Sequence, residues 1–497
     1  MPDAVQLSYM VNGPAVHSTK SFKNPRGFKM ITRVEIDGFR MFHDAALEIA
    51  PFQAIIGAGD AGKSNFFEVL ALLSALAESD LLTAFHMLHG EPREMFTLRE
   101  DGSFAGCMRL AVEMLTASDV EDAFGARGEI RYTRMRYEVE IARRMDARGV
   151  ERLYVMHEAL QPIQRSDDPW ARRHIVRGRE FWLPTLKTGR TVPFISTRND
   201  DGIATIYLHQ DGRGGDMAAV AQGAERTVLS TIANTEFPHA FAAREEMRSW
   251  RTLALDPEAI RSNRSTHSHS FVGSDGGNLG PALARIHRER PGALDRIARD
   301  IAELHSSIRS IGVDDRDGRG RPGVRVTLAG GHQVSPGMLS GGALRLMALV
   351  VLRNDPDADG VLCIEEPENG LDPHLLRIVA PYLRRMSTDF TADPSADERP
   401  RQIIAVTHST ELVRELVRGL AREEDGPVHD LPQLLFVHAP RRGAERRTEF
   451  ARIRPSEQLE LGLAGEIPGH TLTLAEVEGE MTRARQRDTA PEGSRAF

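Results

Sequence analysis

Ten residues, Ile55 to Ser64 (IIGAGDAGKS), restrict this chain more than any other stretch. Two isoleucines read as the end of a buried strand, and Gly57-Ala58-Gly59-Asp60-Ala61-Gly62-Lys63-Ser64 follows the spacing G-x-x-x-x-G-K-[ST] of a phosphate-binding loop. Backbone N–H groups can surround an anion this closely only where glycine relaxes the limits on φ and ψ. Lys63 is expected to reach the β- and γ-phosphates, Ser64 to offer its hydroxyl to Mg2+, and Asn65 to follow them into the helix. That helix, KSNFFEVLALLSALAESD, has Phe66, Phe67, Val69, Leu70, Leu73 and Leu76 on an apolar face and aims its positive dipole end at the same anion. A chance match in a glycine-rich turn would not also have a strand before it and an amphipathic helix after it. Only five of the 63 basic residues are lysines (Lys20, Lys23, Lys29, Lys63 and Lys187), and one of them stands where a compact ammonium is wanted.

A chain of 497 residues has room for two or three domains, and 41% hydrophobic residues supply an ordinary globular core. Cys107 and Cys363 are too few for a disulfide framework or a zinc site, which fits a reducing cytoplasm, and Cys363 lies in an apolar strand as a small core residue. No run is apolar enough to span a membrane, and the first 29 residues lack a signal-peptide core, so a cytoplasmic protein with no membrane partner is expected. The net charge of −8 argues against a wholesale basic nucleic-acid binder while leaving room for a local patch.

Strand alternation begins abruptly at Ile31, Val34 and Ile36, which makes residues 1–29 a flexible extension and Met30 an alternative start. From residue 101 to 329 the reading is one large α+β insertion. Its strands are suggested by EIRYTRMRYEVEIARRM, RLYVMHEAL and GIATIYLHQ, and its helices by HAFAAREEMRSW and PGALDRIARDIAELHSSI. In the last helix Leu294, Ile297, Ile301, Leu304 and Ile308 keep a 3-4-3-4 spacing, too short for a coiled-coil arm and suited to packing. His267 and His269 sit in a Ser/Gly-rich loop and read as solvated residues rather than metal ligands. After VRVTL, helices and the strands VLCIEE, QIIAVTH and QLLFVHA alternate to about residue 455, as in a parallel sheet with helices on both faces. Residues 456–497 are expected to be a terminal helix and polar tail.

Glu365 and Glu366 end the strand VLCIEE, at the carboxyl edge where open α/β sheets bind ligands. Glu365 is assigned to the Mg2+ shell through water, and Glu366 to the attacking water as general base. Ser340-Gly341-Gly342 precedes a helix and could form a second anion cradle, although serine and glycine there also serve as a simple cap. His408, at the end of QIIAVTH, could contact a γ-phosphate.

Taken in order, GAGDAGKS, LSGGA, CIEEPENGLDP and VTHST resemble the ABC-type ATPase head, and specifically its SMC-like, RecF-like and OLD-like bacterial relatives. The resemblance covers residues 30–100 and 330–455. It implies an α/β P-loop NTPase fold, a head with a mixed sheet and a large α+β insertion between the phosphate loop and the signature motif. By resemblance, Arg40 in GFRMF is the basic residue that reaches the nucleotide, and Asp372 in GLDP belongs to the loop that crosses a dimer. The chain departs from the pattern with Ala343 where transporters carry Gln, with Asp60 where many ABC loops have glycine, and with no placed Q-loop glutamine; Gln161, Gln164 and Gln210 remain candidates. The TOPRIM nuclease domain of OLD proteins has no counterpart, and Asp425 and Asp430 do not make its pattern.

The resemblance implies a homodimer in which the signature residues of one subunit cover the phosphate loop of the other, sandwiching two ATP molecules. An ATP-hydrolysing switch in DNA repair, chromosome handling or anti-phage defence is expected on this basis. DNA is a candidate partner through the Arg-rich stretches IRYTRMRYEVEIARRMDARGVER and WARRHIVRGR, the latter holding Arg172 and Arg173. The rival reading is a non-hydrolytic ATP sensor that holds a toxin or nuclease.

Overall fold

The computed structural model describes residues 29–59, 61–175, 179–200, 203–210, 217–220, 223–262, 271–314, 322–390, 400–421, 433–439, 441–442, 445–446, 448–454 and 471–489. Residues 1–28 of the expected extension 1–29, and Asp60, His267, His269, Asp425 and Asp430, lie outside them.

Two large sheets organise the molecule. In the first, Arg251–Leu253, Gly360–Glu365, Arg401–Thr407, Phe52–Gly57 and Gln433–His438 run parallel in that order. Glu449–Arg454 then turns antiparallel, with Thr471–Thr473 on the edge. The apolar runs of these strands are explained by two buried faces. Ile55, Cys363, Ile404, Val406 and Val437 turn one way, into a core with Phe66, Phe67 and Val69 of the helix Lys63–Leu76. Ala54, Ile56, Leu362, Ile364, Ile403 and Phe436 turn the other way, into a core with the helices Leu279–Glu289, Ala293–Leu304, Gly341–Asn354, Leu376–Arg385 and Thr410–Ala421.

The second sheet is antiparallel and eight-stranded. Its order is Met217–Val220, Ile203–Leu208, Ile195–Asp200, Glu151–Pro162, Arg134–Met145, Cys107–Leu115, Met30–Asp37, Ala45–Glu48. It covers the phosphate-loop helix from outside, so Val34, Ile36, Val112, Met114 and Val139 join the same core as Phe66 and Leu70. Gln402 stitches the two sheets together: its Oε1 accepts from Ile31 N at 2.9 Å, and its Nε2 donates to Ile31 O and Ala50 O at 2.7 and 3.0 Å.

The stretch read as an insertion shares both sheets with the head. Cys107–Leu115 pairs directly with Met30–Asp37, and Arg251–Leu253 forms the edge of the parallel sheet beside Gly360–Glu365. The run to Ile308 divides differently from its spacing: the helix stops at Leu304, and Ile308 opens the strand Ile308–Asp314, which pairs with Gly323–Leu328. Ile308 stays buried, so the apolar position was read correctly and the element was not. Cys363 is buried and Cys107 exposed, both with free thiols. No described helix is long and apolar enough to cross a membrane.

Candidate functional site

The phosphate loop follows from its strand without a break. Gly57 ends the strand with no space for a side chain, since a Cβ there would stand 2.4 Å from Val437 O on the neighbouring strand. Gly62 takes φ 94° at the N-cap of the helix, a conformation open to glycine. Lys63 is 5% exposed, and its Nζ donates to Gly57 O at 2.8 Å and to Ala58 O, which holds the ammonium over the loop. Thr448 supports the loop from the other side, with Oγ1 donating to Ala61 O at 3.3 Å and its own N–H to Met41 O at 2.9 Å.

Parallel register aligns the ends of three strands. Thr407 pairs with Ile56 and Val406 with Glu365, so the loop after Gly57, the turn at His408 and the acidic pair share one edge. With strands about 4.8 Å apart, Glu366 stands two spacings, about 10 Å, from the phosphate loop. His408 occupies the strand between them, and its Nδ1 lies 2.9 Å from Glu366 Oε1. An ionised carboxylate only accepts, so against it the hydrogen sits on Nδ1. Glu366 holds φ 44°, a left-handed backbone uncommon for a residue with a side chain. That turn closes with Glu366 N donating to Val406 O at 2.8 Å, and Asn369 Nδ2 reaches Glu366 Oε2 at 3.4 Å. Strain of this kind gathers at functional sites.

Glu365 is half-buried, and burial, then the charges of Glu366 and Glu68, raise its carboxyl above the ordinary range. Neighbouring like charge of this kind favours a cation beside Glu365. No described cluster of three His, Cys, Asp or Glu residues could hold a metal by protein alone. Ser64, and Glu365 through water, are the residues at this edge that could hold a Mg2+, a cation that takes one or two protein oxygens and completes its shell with water and phosphate.

Arg40 lies in a turn with φ 47° whose neighbour Met41 packs against Gly62 of the loop. Its guanidinium is engaged: Nε is 2.8 Å from Glu68 Oε2 and Nη2 donates to His89 O at 2.7 Å. His89 Nδ1 is in turn 3.4 Å from Glu68 Oε1. Sequence reasoning missed Glu68 and His89. Glu68 could have been found, because four residues past Ser64 places it on the same helix face, whereas nothing near His89 in sequence points here.

Ser340 caps the helix Gly341–Asn354, its hydroxyl accepting from Ala343 N at 3.2 Å. This helix runs back along the strand Gly360–Glu365, which leaves Ser340 exposed at the carboxyl edge of the sheet. Its first turn packs on the loop after Glu366: a Cβ on Gly342 would meet Gly370 O at 2.4 Å. It also touches Leu255, just past the edge strand Arg251–Leu253, which lies three strands from the phosphate loop. Asp372 is exposed and accepts from His374 N at 2.9 Å. Gln161 faces outward on the antiparallel sheet and Gln164 donates to Arg190 O, so neither is brought to this edge.

A parallel sheet with one strand between the phosphate-loop strand and the acidic strand, and a signature helix packed over it, decides the fold. The chain has the fold of a P-loop NTPase. Residues 171–414 of the NTPase match the family model described as "AAA domain, putative AbiEii toxin, Type IV TA system". That span holds Ser340, Glu365, Glu366 and His408 and leaves out the phosphate loop. Among solved structures the NTPase is similar to an Smc head bound to the C-winged helix domain of ScpA (13% identity, 85% of this chain and 98% of that one, TM-score 0.44). It is also similar to the SMC head domain from Thermotoga maritima (13%, 86% and 99%, TM-score 0.36). A third is the Smc head with coiled coil and joint from Pyrococcus yayanosii (12%, 92% and 99%, TM-score 0.43). At these TM-scores the likenesses carry no part of the functional reading. No curated protein matches the chain.

Proposed function

We propose that the protein binds ATP with Mg2+ and hydrolyses it in a composite site of a homodimer. The observation that carries this is Glu366: a strained, half-exposed carboxylate oriented by His408, two strands from a buried lysine in a phosphate loop. Residues 57–65 hold the triphosphate, Lys63 neutralises its outer phosphates, and Ser64 and Glu365 hold the Mg2+ that balances charge on the departing phosphate. Glu366 takes the proton of the attacking water, and His408 fixes its orientation. The exposed end Ser340–Gly342 packs on the loop after Glu366, and its helix reaches Leu255 past the edge strand, on the side of the sheet away from its own phosphate loop. It is therefore placed to cover a second subunit's nucleotide, with Asp372 crossing beside it. Arg40 reaches the nucleotide by exchanging its Glu68 contact. In this reading residues 30–100 and 330–455 form the head, and 101–329 buttress it.

Several arginines of the Arg-rich stretches are engaged with carboxylates, which weakens the case for DNA. Arg134 is buried against Asp168 at 2.7 Å, Arg136 meets Glu35 at 2.7 Å and Glu138 at 3.1 Å, and Arg143 meets Glu151 at 2.7 Å. Arg173 pairs with Glu48, and Arg172 donates to Ser166 O at 2.8 Å. We therefore read the output as an ATP-driven change of dimer shape, in a cytoplasmic defence or repair setting. The matched family is described as a putative toxin of a Type IV TA system, and within this reading the partner is a toxin or nuclease chain rather than nucleic acid. Glu366→Gln tests the reading: it should abolish phosphate release yet accumulate an ATP-bound dimer in light scattering. Unchanged turnover in that variant would remove Glu366 from the mechanism.

A further inference from the structure

Arg345 has no part in the reading above, yet it joins three elements of the site. It lies one turn into the helix Gly341–Asn354, on the side facing the catalytic loop. Its Nη1 donates to Asn369 O at 2.9 Å and its Nε to Leu255 O at 2.9 Å. Contact with the loop is close enough that a Cβ on Gly370, itself at φ 73°, would stand 2.8 Å from Nη1. A second arginine holds the other side of the same corner: Arg261 Nη2 donates to Leu339 O at 3.1 Å, immediately before Ser340.

The loop that Arg345 grips is the one that sets Glu366. Asn369 N donates to Glu366 O at 2.9 Å, Asn369 Nδ2 reaches Glu366 Oε2, and Leu371 N donates to Glu368 O at 3.0 Å. Glu366 is left-handed, so it relaxes to another backbone conformation unless its neighbours hold it. A guanidinium suits this task, because its planar fork fixes two carbonyls at once, whereas an ammonium is a single point donor on a flexible stem.

We propose that Arg345 is a positioning residue that registers the signature end, Ser340–Gly342, against the Glu366 loop of the same subunit. This rests on the ATPase reading for its effect on turnover. When Ser340 engages nucleotide on one side, the shift of its helix reaches Glu366 through Arg345 and Asn369. Nucleotide covered by a subunit's signature end therefore sets the alignment of that subunit's own general base.

Arg345→Gln and Arg345→Lys in the full chain test this, with ATP affinity, ATP turnover and backbone amide exchange measured on each. For Arg345→Gln we expect ATP affinity and KM near the wild-type values, kcat down by about ten-fold or more, and amides of Asn369 and Leu371 exchanging about ten-fold faster. Exchange in the strands Phe52–Gly57 and Arg401–Thr407 should be unchanged, which a general loss of stability would not allow. Arg345→Lys should recover part of kcat through one of the two bonds. Arg345→Gln with unaltered kcat and unaltered exchange at Asn369 and Leu371 overturns the proposal. If exchange rises across the whole sheet in both variants, Arg345 is a stability residue and the proposal is also overturned. A wild-type protein that releases no phosphate defeats the ATPase reading instead, and the exchange at Asn369 and Leu371 still decides whether Arg345 holds the loop.

Discussion

Glycine at position 366 should give a more stable protein than alanine there, the reverse of the ordinary order. Both substitutions remove the carboxylate, so both lose the His408 and Asn369 contacts, and these losses cancel in the comparison. What remains is the backbone at φ 44°. Alanine in a left-handed conformation carries a strain of about 1–2 kcal/mol. Glycine adopts it freely but gives up about 0.5–1 kcal/mol of chain entropy. The difference favours glycine by about 0.5–1 kcal/mol, read as a higher urea midpoint at equal slope. Both variants should lose turnover by about 10²- to 10⁴-fold, the usual worth of a general base. A Glu366→Ala protein as stable as Glu366→Gly, or more so, would refute the claim that the catalytic loop stores strain.

Burial pushes the Glu246 carboxyl up to about 8, because its Oε2 meets no hydrogen-bond partner among the described residues and its other oxygen has only Trp250 Nε1 at 3.2 Å. The folded chain thus keeps a proton that the unfolded chain releases near pH 4.3. This contribution is whole below that pH and is lost as pH rises to about 8, so Glu246→Gln should flatten the decline by up to about 4 kcal/mol between pH 5 and 9 in urea titrations. An unaltered decline would show that Glu246 is ionised in the fold. Arg134 is fully buried between Asp168, Thr32 Oγ1 and Met114 O, and Arg134→Met should cost about 3–5 kcal/mol by leaving Asp168 unpaired. Removing the partner too, in Arg134→Met/Asp168→Asn, should restore part of that loss; a double variant no better than the single would assign the cost to packing.

The parts of the site legible in sequence were those held together by local spacing. Gly57 to Ser64 is one continuous strand, loop and helix start, and Glu365 and Glu366 end an apolar strand whose pattern shows its own termination. Glu68 and His89 were not legible, because their meeting with Arg40 depends on how the antiparallel sheet folds over the phosphate-loop helix. That residues 101–329 share both sheets with the head was not legible for the same reason. Local pattern shows the strands Cys107–Leu115 and Arg251–Leu253 but cannot show that one pairs with the first strand of the chain and the other with the Glu365 strand. At Ile308 the apolar period carried across an element boundary, since a buried strand start and a buried helix position leave the same mark in sequence. The Arg-rich stretches were weighed as a phosphate-binding face because composition reports charge and not pairing, and their carboxylate partners Glu35, Glu113 and Asp168 come from elsewhere in the chain.

The central claim is that each active site is shared, with Lys63 from one subunit and Ser340 from the other. Mixing two inactive variants, Lys63→Ala and Ser340→Arg, and measuring phosphate release from ATP tests it most directly. In a randomly exchanged mixture half of the dimers pair one of each, and each such dimer holds one intact site. The account therefore predicts that the mixture regains turnover, at most about a quarter of wild type and less where the two sites are coupled through Arg345, while neither variant alone has any. A mixture as inactive as its two components, with subunit exchange verified, would contradict it.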